Sequence, residues 1–224
     1  VVRLFENEAD YVAYLQGDFA EMDPRMTAGI FSGSRRELVI RPTSSAASNR
    51  EGSVRDILKH EGFHQYVFLA LAGRTPAAWF NEGFAGFFEN CDIGSGSSGI
   101  VVGESKRHAA LLERMVKDKD VDWVPAMTAF LALDYPQFYA VPERNYALAW
   151  GVVYYLMRGA PLERGQPYAN VIGAYLAELE RGGDPGRATA AAFADVDMKK
   201  FCGDFTSFWR TTKERQDAMR KPWR

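Results

Sequence analysis

The sequence predicts an α+β protein: a small N-terminal β-sheet lobe, one long apolar helix, and a larger α-helical lobe after it. Three observations lead there. Strand-like apolar runs are confined to the first 41 residues, helical periodicity dominates from residue 53 onward, and no repeat of fixed period breaks that order. With 224 residues, 47% hydrophobic and 25% charged, the chain is ordinary for a globular protein that buries a real core. Residues 1–224 read as a single module, with 1–75 carrying the sheet lobe and the long helix and 76–224 the helical lobe.

Val1 to Phe5 reads as a short strand, and Asn7 to Leu15 places Ala9, Val12, Ala13 and Leu15 at helical spacing. Met26 to Ser32 and Arg36 to Arg41 read as a hairpin closed at Ser32-Gly33-Ser34 and stopped by Pro42. Arg36 to Arg41 is the expected edge strand, able to pair with an extended peptide. Residues 43 to 52 form a loop, after which Ser53-Val54-Arg55-Asp56 supplies an N-cap with an acidic residue three positions on. The helix it starts runs to about Ala72, with Gly73 as its stop. Val54, Ile57, Leu58, Phe63, Val67, Phe68, Leu69 and Leu71 cover almost all its sides, so a buried central helix is expected.

Pro76 suits the opening of a second helix over residues 79 to 90. The Gly- and Ser-rich stretch from Asp92 to Gly103 reads as a mobile connecting loop. Helices follow over Glu104 to Lys117, about Pro125 to Leu133, Asn145 to Arg158, Tyr168 to Arg181, about Pro185 to Ala194, and Lys199 to about Met219.

A formal net charge of -2 and a pI near 6.0 give no general attraction to phosphate backbones or anionic lipid, which argues against a nucleic-acid or membrane-surface role. The basic run from Lys213 to Arg224 reads as a solvated helix face and tail. No apolar run is long enough to span a bilayer, and no signal peptide is visible. Because the chain opens on a strand-like segment, it reads as a trimmed portion of a longer product. Export is preferred to a cytoplasmic location, though the compartment is not legible. Cys91 and Cys202 read as two buried thiols, with one disulfide between them as the alternative.

The chemistry is concentrated in Lys59-His60-Glu61-Gly62-Phe63-His64-Gln65. Residues four apart lie one above the other on a helix, so His60 and His64 can point two imidazoles at one ion. Glu61 projects beside them, where a carboxylate can take a proton from activated water. Its arc is shared by Ile57, Leu58 and Phe68, an apolar setting that is costly for a carboxylate with no function. Zinc needs a third protein ligand, and Glu82 is the candidate: it lies 18 positions after His64 on a helix reached through a turn. His108, the third His, falls beside Lys106 and Arg107 on a polar face, where a surface role is expected.

At this point the sequence resembles the gluzincin metallopeptidases, whose HExxH pattern is followed after a helix-turn by an Asn-Glu pair. Trp79-Phe80-Asn81-Glu82-Gly83-Phe84-Ala85-Gly86-Phe87-Phe88-Glu89 is similar to the corresponding segment of the M1-type zinc aminopeptidases. The resemblance covers residues 53 to 91 and 145 to 157. It implies a thermolysin-like catalytic core, a Zn2+ cofactor held by His60, His64 and Glu82, Glu61 as general base, and a peptide or protein substrate. It further implies that Tyr146, in Asn145-Tyr146-Ala147, opens a later helix and hydrogen-bonds the oxyanion, with Tyr139, Tyr154 and Tyr155 as the other candidates. Asn81 is expected to orient the site or cap its helix. Glu89, two turns beyond Glu82, is expected to accept from a ligand His or to lie solvated at the helix end. The chain departs from the M1 pattern in lacking a Gly-x-Met-x-Asn segment before the zinc helix. The reading is therefore a peptidase with endo- or exo-mode open, similar to compact bacterial gluzincin-like domains. The alternative is an inactive binding or structural module that keeps the metal site.

Overall fold

The computed structural model describes residues 1–18, 27–41, 53–93 and 100–220. They divide into two units, Val1–Arg74 and Thr75–Arg224. The architecture is α+β, with a small N-terminal sheet and a larger C-terminal helical region.

The first unit runs β1 (Val2–Leu4), α1 (Glu8–Asp18), β2 (Gly29–Ser32), β3 (Glu37–Ile40) and α2 (Val54–Ala70). Its sheet has the order β1-β3-β2: β1 is parallel to β3, with Val2 opposite Leu38, and β2 is antiparallel to it, with Gly29 opposite Ile40. This corrects the expected edge strand. Arg36 to Arg41 contributes the central strand, because β1 occupies the side the hairpin leaves open, and the edges are β1 and β2. Tyr11, Leu15 and Val39 form a buried cluster, with Phe5, Val12, Tyr14 and Ile30 packed on it. Glu37, buried at the end of β3, ties the unit together. It accepts hydrogen bonds from Tyr14 at 2.5 Å and Arg3 at 2.6 Å.

Ser53 starts α2 as expected, with a complete capping box to Asp56. The helix is less enclosed than its composition suggests. Glu61, Phe63 and Val67 are its buried residues, whereas Tyr66 is 68% and Leu69 58% exposed. Phe68 packs edge-on against Phe31 of β2, with ring centroids 5.4 Å apart. Gly33 makes room there: a Cβ on it would lie 2.6 Å from Phe68. Gly73, at φ 83°, ends the helical path in the left-handed conformation that glycine alone adopts without strain.

The second unit contains α3 (Ala78–Glu89), β4 (Cys91–Ile93), β5 (Ile100–Val102), α4 (Lys106–Met115), α5 (Trp123–Leu131), α6 (Tyr135–Ala140) and α7 (Pro142–Tyr154). A π-turn over Tyr155–Gly159 follows, then α8 (Val171–Glu180), α9 (Pro185–Ala192), α10 (Met198–Arg210) and α11 (Thr212–Arg220). Helices α3 and α7 pack against each other, with buried Trp150 of α7 against Trp209 of α10 and buried Trp79 of α3 against Tyr175 and Phe193. Instead of a plain loop after α3, β4 and β5 form an antiparallel hairpin, driven by the β-branched residues that flank the Gly-Ser stretch. Residues 94–99 of the expected mobile loop, like 19–26 and 43–52, lie outside the described residues. The expected last helix is two, α10 and α11, and its basic face is not wholly solvated: Arg215 is buried and pairs with Glu104 and Glu113. Cys91 and Cys202 are buried free thiols, with Sγ–H donated to the carbonyls of Phe87 and Trp123. Burial pushes the Cys202 thiol up to about 11. No described helix is long and apolar enough to cross a membrane.

Candidate metal centre

In the first unit, helix geometry sets the two imidazoles. His60 and His64 stand one turn apart on α2, with ring centroids 4.9 Å apart and planes at 79°. Both are half-buried. Glu61 is only 8% exposed and is the one buried carboxylate of α2. It faces β2, where Gly29 admits it: a Cβ on Gly29 would lie 3.0 Å from Glu61 Cγ and 2.7 Å from Ile57 Cγ2. Lys59 is turned to Asp56 of the capping box, at 2.8 Å.

In the second unit, Glu82 is 3% exposed on the first turns of α3. Tyr139 of α6 donates its phenol to Glu82 Oε1 at 2.8 Å. One turn earlier on α6, the Tyr135 hydroxyl accepts from Asn81 Nδ2 at 3.0 Å and donates to the Pro76 carbonyl at 3.1 Å. Two tyrosines at i and i+4 thus reach the two members of the Asn-Glu pair. Burial, the Glu82 charge and the bond donated to Glu82 together push the Tyr139 phenol far above its ordinary value, opposed by a hydrogen bond with Tyr146. Burial first, and Glu82 second, also push Tyr135 up, so both phenols stay protonated donors.

The six-residue α6 is held rigidly. Asp134 and Gln137 form a capping box, Phe138 is fully buried, and Asn145 Nδ2 donates to the Phe138 carbonyl at 2.8 Å. Pro76, Ala78, Leu131, Leu133 and Thr189 line an apolar cavity of about 340 Å³ beside Tyr135.

Two imidazoles and a carboxylate are the donor set that zinc accepts in three-ligand catalytic sites, so these residue types fit that ion. Residues 56–164 match the family model described as "Protein of unknown function (DUF1570)". The matched segment contains His60, Glu61, His64, Asn81, Glu82, Glu89, Tyr139 and Tyr146. No curated protein and no solved structure matches the chain.

Several expected positions shift. Asn81 does not cap α3: the helix starts at Ala78 behind Ala77, and Asn81 instead bonds Tyr135. Tyr146 does not open its helix, because Pro142 starts α7 a turn earlier; it packs on Phe138 and Tyr139 with centroids 5.2 and 6.3 Å away. Tyr154 and Tyr155 lie fully buried in the aromatic core of the second unit. His108 is half-buried with its ring 5.7 Å from Trp150, so its setting is aromatic rather than a polar face. Glu89 is the last residue of α3 and half-buried. Sequence reasoning weighed Tyr139 only as an oxyanion donor and missed Tyr135. The signal lay in Asp134-Tyr135-Pro136-Gln137, a capping box that announces a helix with tyrosines one turn apart.

Proposed function

We propose that this chain is a zinc-dependent peptidase with a gluzincin-type core, in which His60, His64 and Glu82 hold the ion and Glu61 is the general base. The observation that carries the reading is the imidazole pair of α2, 4.9 Å between ring centroids, beside that helix's one buried carboxylate. His60 and His64 on α2 and Glu82 on α3 supply the two imidazoles and the carboxylate of the donor set that zinc accepts. When bound, zinc supplies Lewis acidity, polarising a carbonyl and acidifying water.

The chain's own groups do the rest. Glu61 accepts a proton from the attacking water and delivers it to the amine nitrogen as the C–N bond breaks. Its buried setting keeps this carboxylate poorly solvated. Tyr146 donates a hydrogen bond to the oxygen on which negative charge develops. Asn81 donates to the Tyr135 hydroxyl, which ties it to α6.

The test compares wild type with Glu61→Gln, both purified without added metal, by elemental analysis and by digestion of a mixed peptide library read by mass spectrometry. Wild type is expected to hold close to one equivalent of zinc and to cut peptides. Glu61→Gln should keep the metal and lose about 10²- to 10⁴-fold in rate. Wild-type protein with a small fraction of an equivalent would sink the zinc reading, and unchanged cleavage by Glu61→Gln would remove it as the base.

A further inference from the structure

We infer that Tyr139 is a positioning residue for a metal ligand, holding the Glu82 carboxylate in the rotamer that binds the ion. The inference rests on the zinc reading above and adds to it a residue that acts on affinity rather than on the bond being cut.

The orientation of Tyr139 carries the argument. A tyrosine at a surface ordinarily buries its ring and sends the hydroxyl to water. Tyr139 does the reverse: the residue is 47% exposed, yet its hydroxyl points inward and donates to Glu82 Oε1 at 2.8 Å. The ring packs on Phe138 and Tyr146, and the inward direction of the hydroxyl follows the bond to the carboxylate. A phenol donating to a carboxylate is a charge-assisted bond, stronger than a neutral pair and directional.

The support beneath Tyr139 is built to match. Helix α6 is capped by Asp134 and Gln137 at its start, pinned by Asn145 near its end and anchored by buried Phe138, so the phenol is presented from a fixed backbone. Its neighbour one turn earlier, Tyr135, accepts a hydrogen bond from Asn81. A flexible Glu has three side-chain torsions to fix before it can coordinate an ion, and a donor that fixes them in advance lowers the entropic cost of binding. Hydrogen-bond partners of metal ligands characteristically set affinity by this route.

The experiment measures the zinc dissociation constant of the metal-free protein by competition with a chelating dye, for wild type, Tyr139→Phe and Tyr135→Phe. Phe keeps the ring and removes only the hydroxyl. Tyr139→Phe should bind zinc about 10- to 100-fold more weakly. Tyr135→Phe loses a phenol from the same helix without touching Glu82, and should stay within about threefold of wild type, since it removes no partner of a ligand. Cobalt(II) loading provides a second readout: the visible absorption bands should move in Tyr139→Phe and hold in Tyr135→Phe, even if melting temperatures shift. Equal zinc affinity and equal cobalt spectra in Tyr139→Phe and wild type would overturn the inference while leaving the zinc reading intact. Wild type that binds neither ion would overturn both.

Discussion

At the scale of single residues, the site depends on what is absent from a side chain as much as on what is present. Gly29 faces Glu61 and Ile57 across a gap that a methyl group would overfill, at 3.0 and 2.7 Å. Gly29→Ala should therefore lower stability by about 1–2 kcal/mol, as overpacking in a filled interior does, and should push Glu61 away from its position. Denaturant melts would read the first effect. A loss of peptide cleavage at unchanged zinc content would read the second, and full activity would show that Glu61 tolerates the shift. The pairing of His60 and His64 was legible in the sequence because helical spacing dictates which groups share a face, whereas Glu82, on a second helix, was reached through the need for a third ligand and the resemblance. Gly29 was not legible, because its role is set by a strand and helix meeting at long range, and no local pattern records that approach.

Among the elements, α3 and α7 show where local pattern succeeds and where it falls short. The apolar run from Trp79 to Phe88 identified α3, and Ser53 with Asp56 identified the start of α2, both signals being contained within a few residues. Helix α6 went unread because six residues give too short a window for periodicity to show. The close packing of α3 on α7 depends on Gly83, where a Cβ would stand 2.5 Å from the Ala149 carbonyl oxygen, a backbone atom that cannot rotate aside. Gly83→Ala gains helix propensity of about 1 kcal/mol but should lose more to the clash, for a net destabilisation of about 2 kcal/mol. Since α3 carries Glu82, zinc affinity should fall with it. Unchanged stability in a urea titration would mean that the two helices separate without cost.

For the whole molecule, acid should act unequally on the two units, because the perturbed carboxylates of the first are both lowered while those of the second mix signs. Burial pulls Glu37 upward, but the bonds from Tyr14 and Arg3, with the charges of Arg3 and Arg35, outweigh it and hold the carboxyl below its ordinary value. A carboxylate lowered in the folded state stabilises above its unfolded value, and that stability is lost as pH falls through the folded value. Asp56, lowered by Lys59 and Ser53 against its burial, adds the same sign in the first unit. The second unit mixes signs. Burial raises Glu104 despite Arg215, so acid relieves its cost, whereas Arg181 lowers Glu178. Amide hydrogen exchange should therefore show protection of Val2–Leu4 and Glu37–Ile40 falling below about pH 4.3, the ordinary carboxylate range, before that of α3 and α7. Glu37→Gln should lower protection of those strands at pH 7 and flatten its acid dependence. An equally steep acid loss in that variant would assign the effect to other carboxylates of the first unit, such as Glu8, which pairs with Arg41.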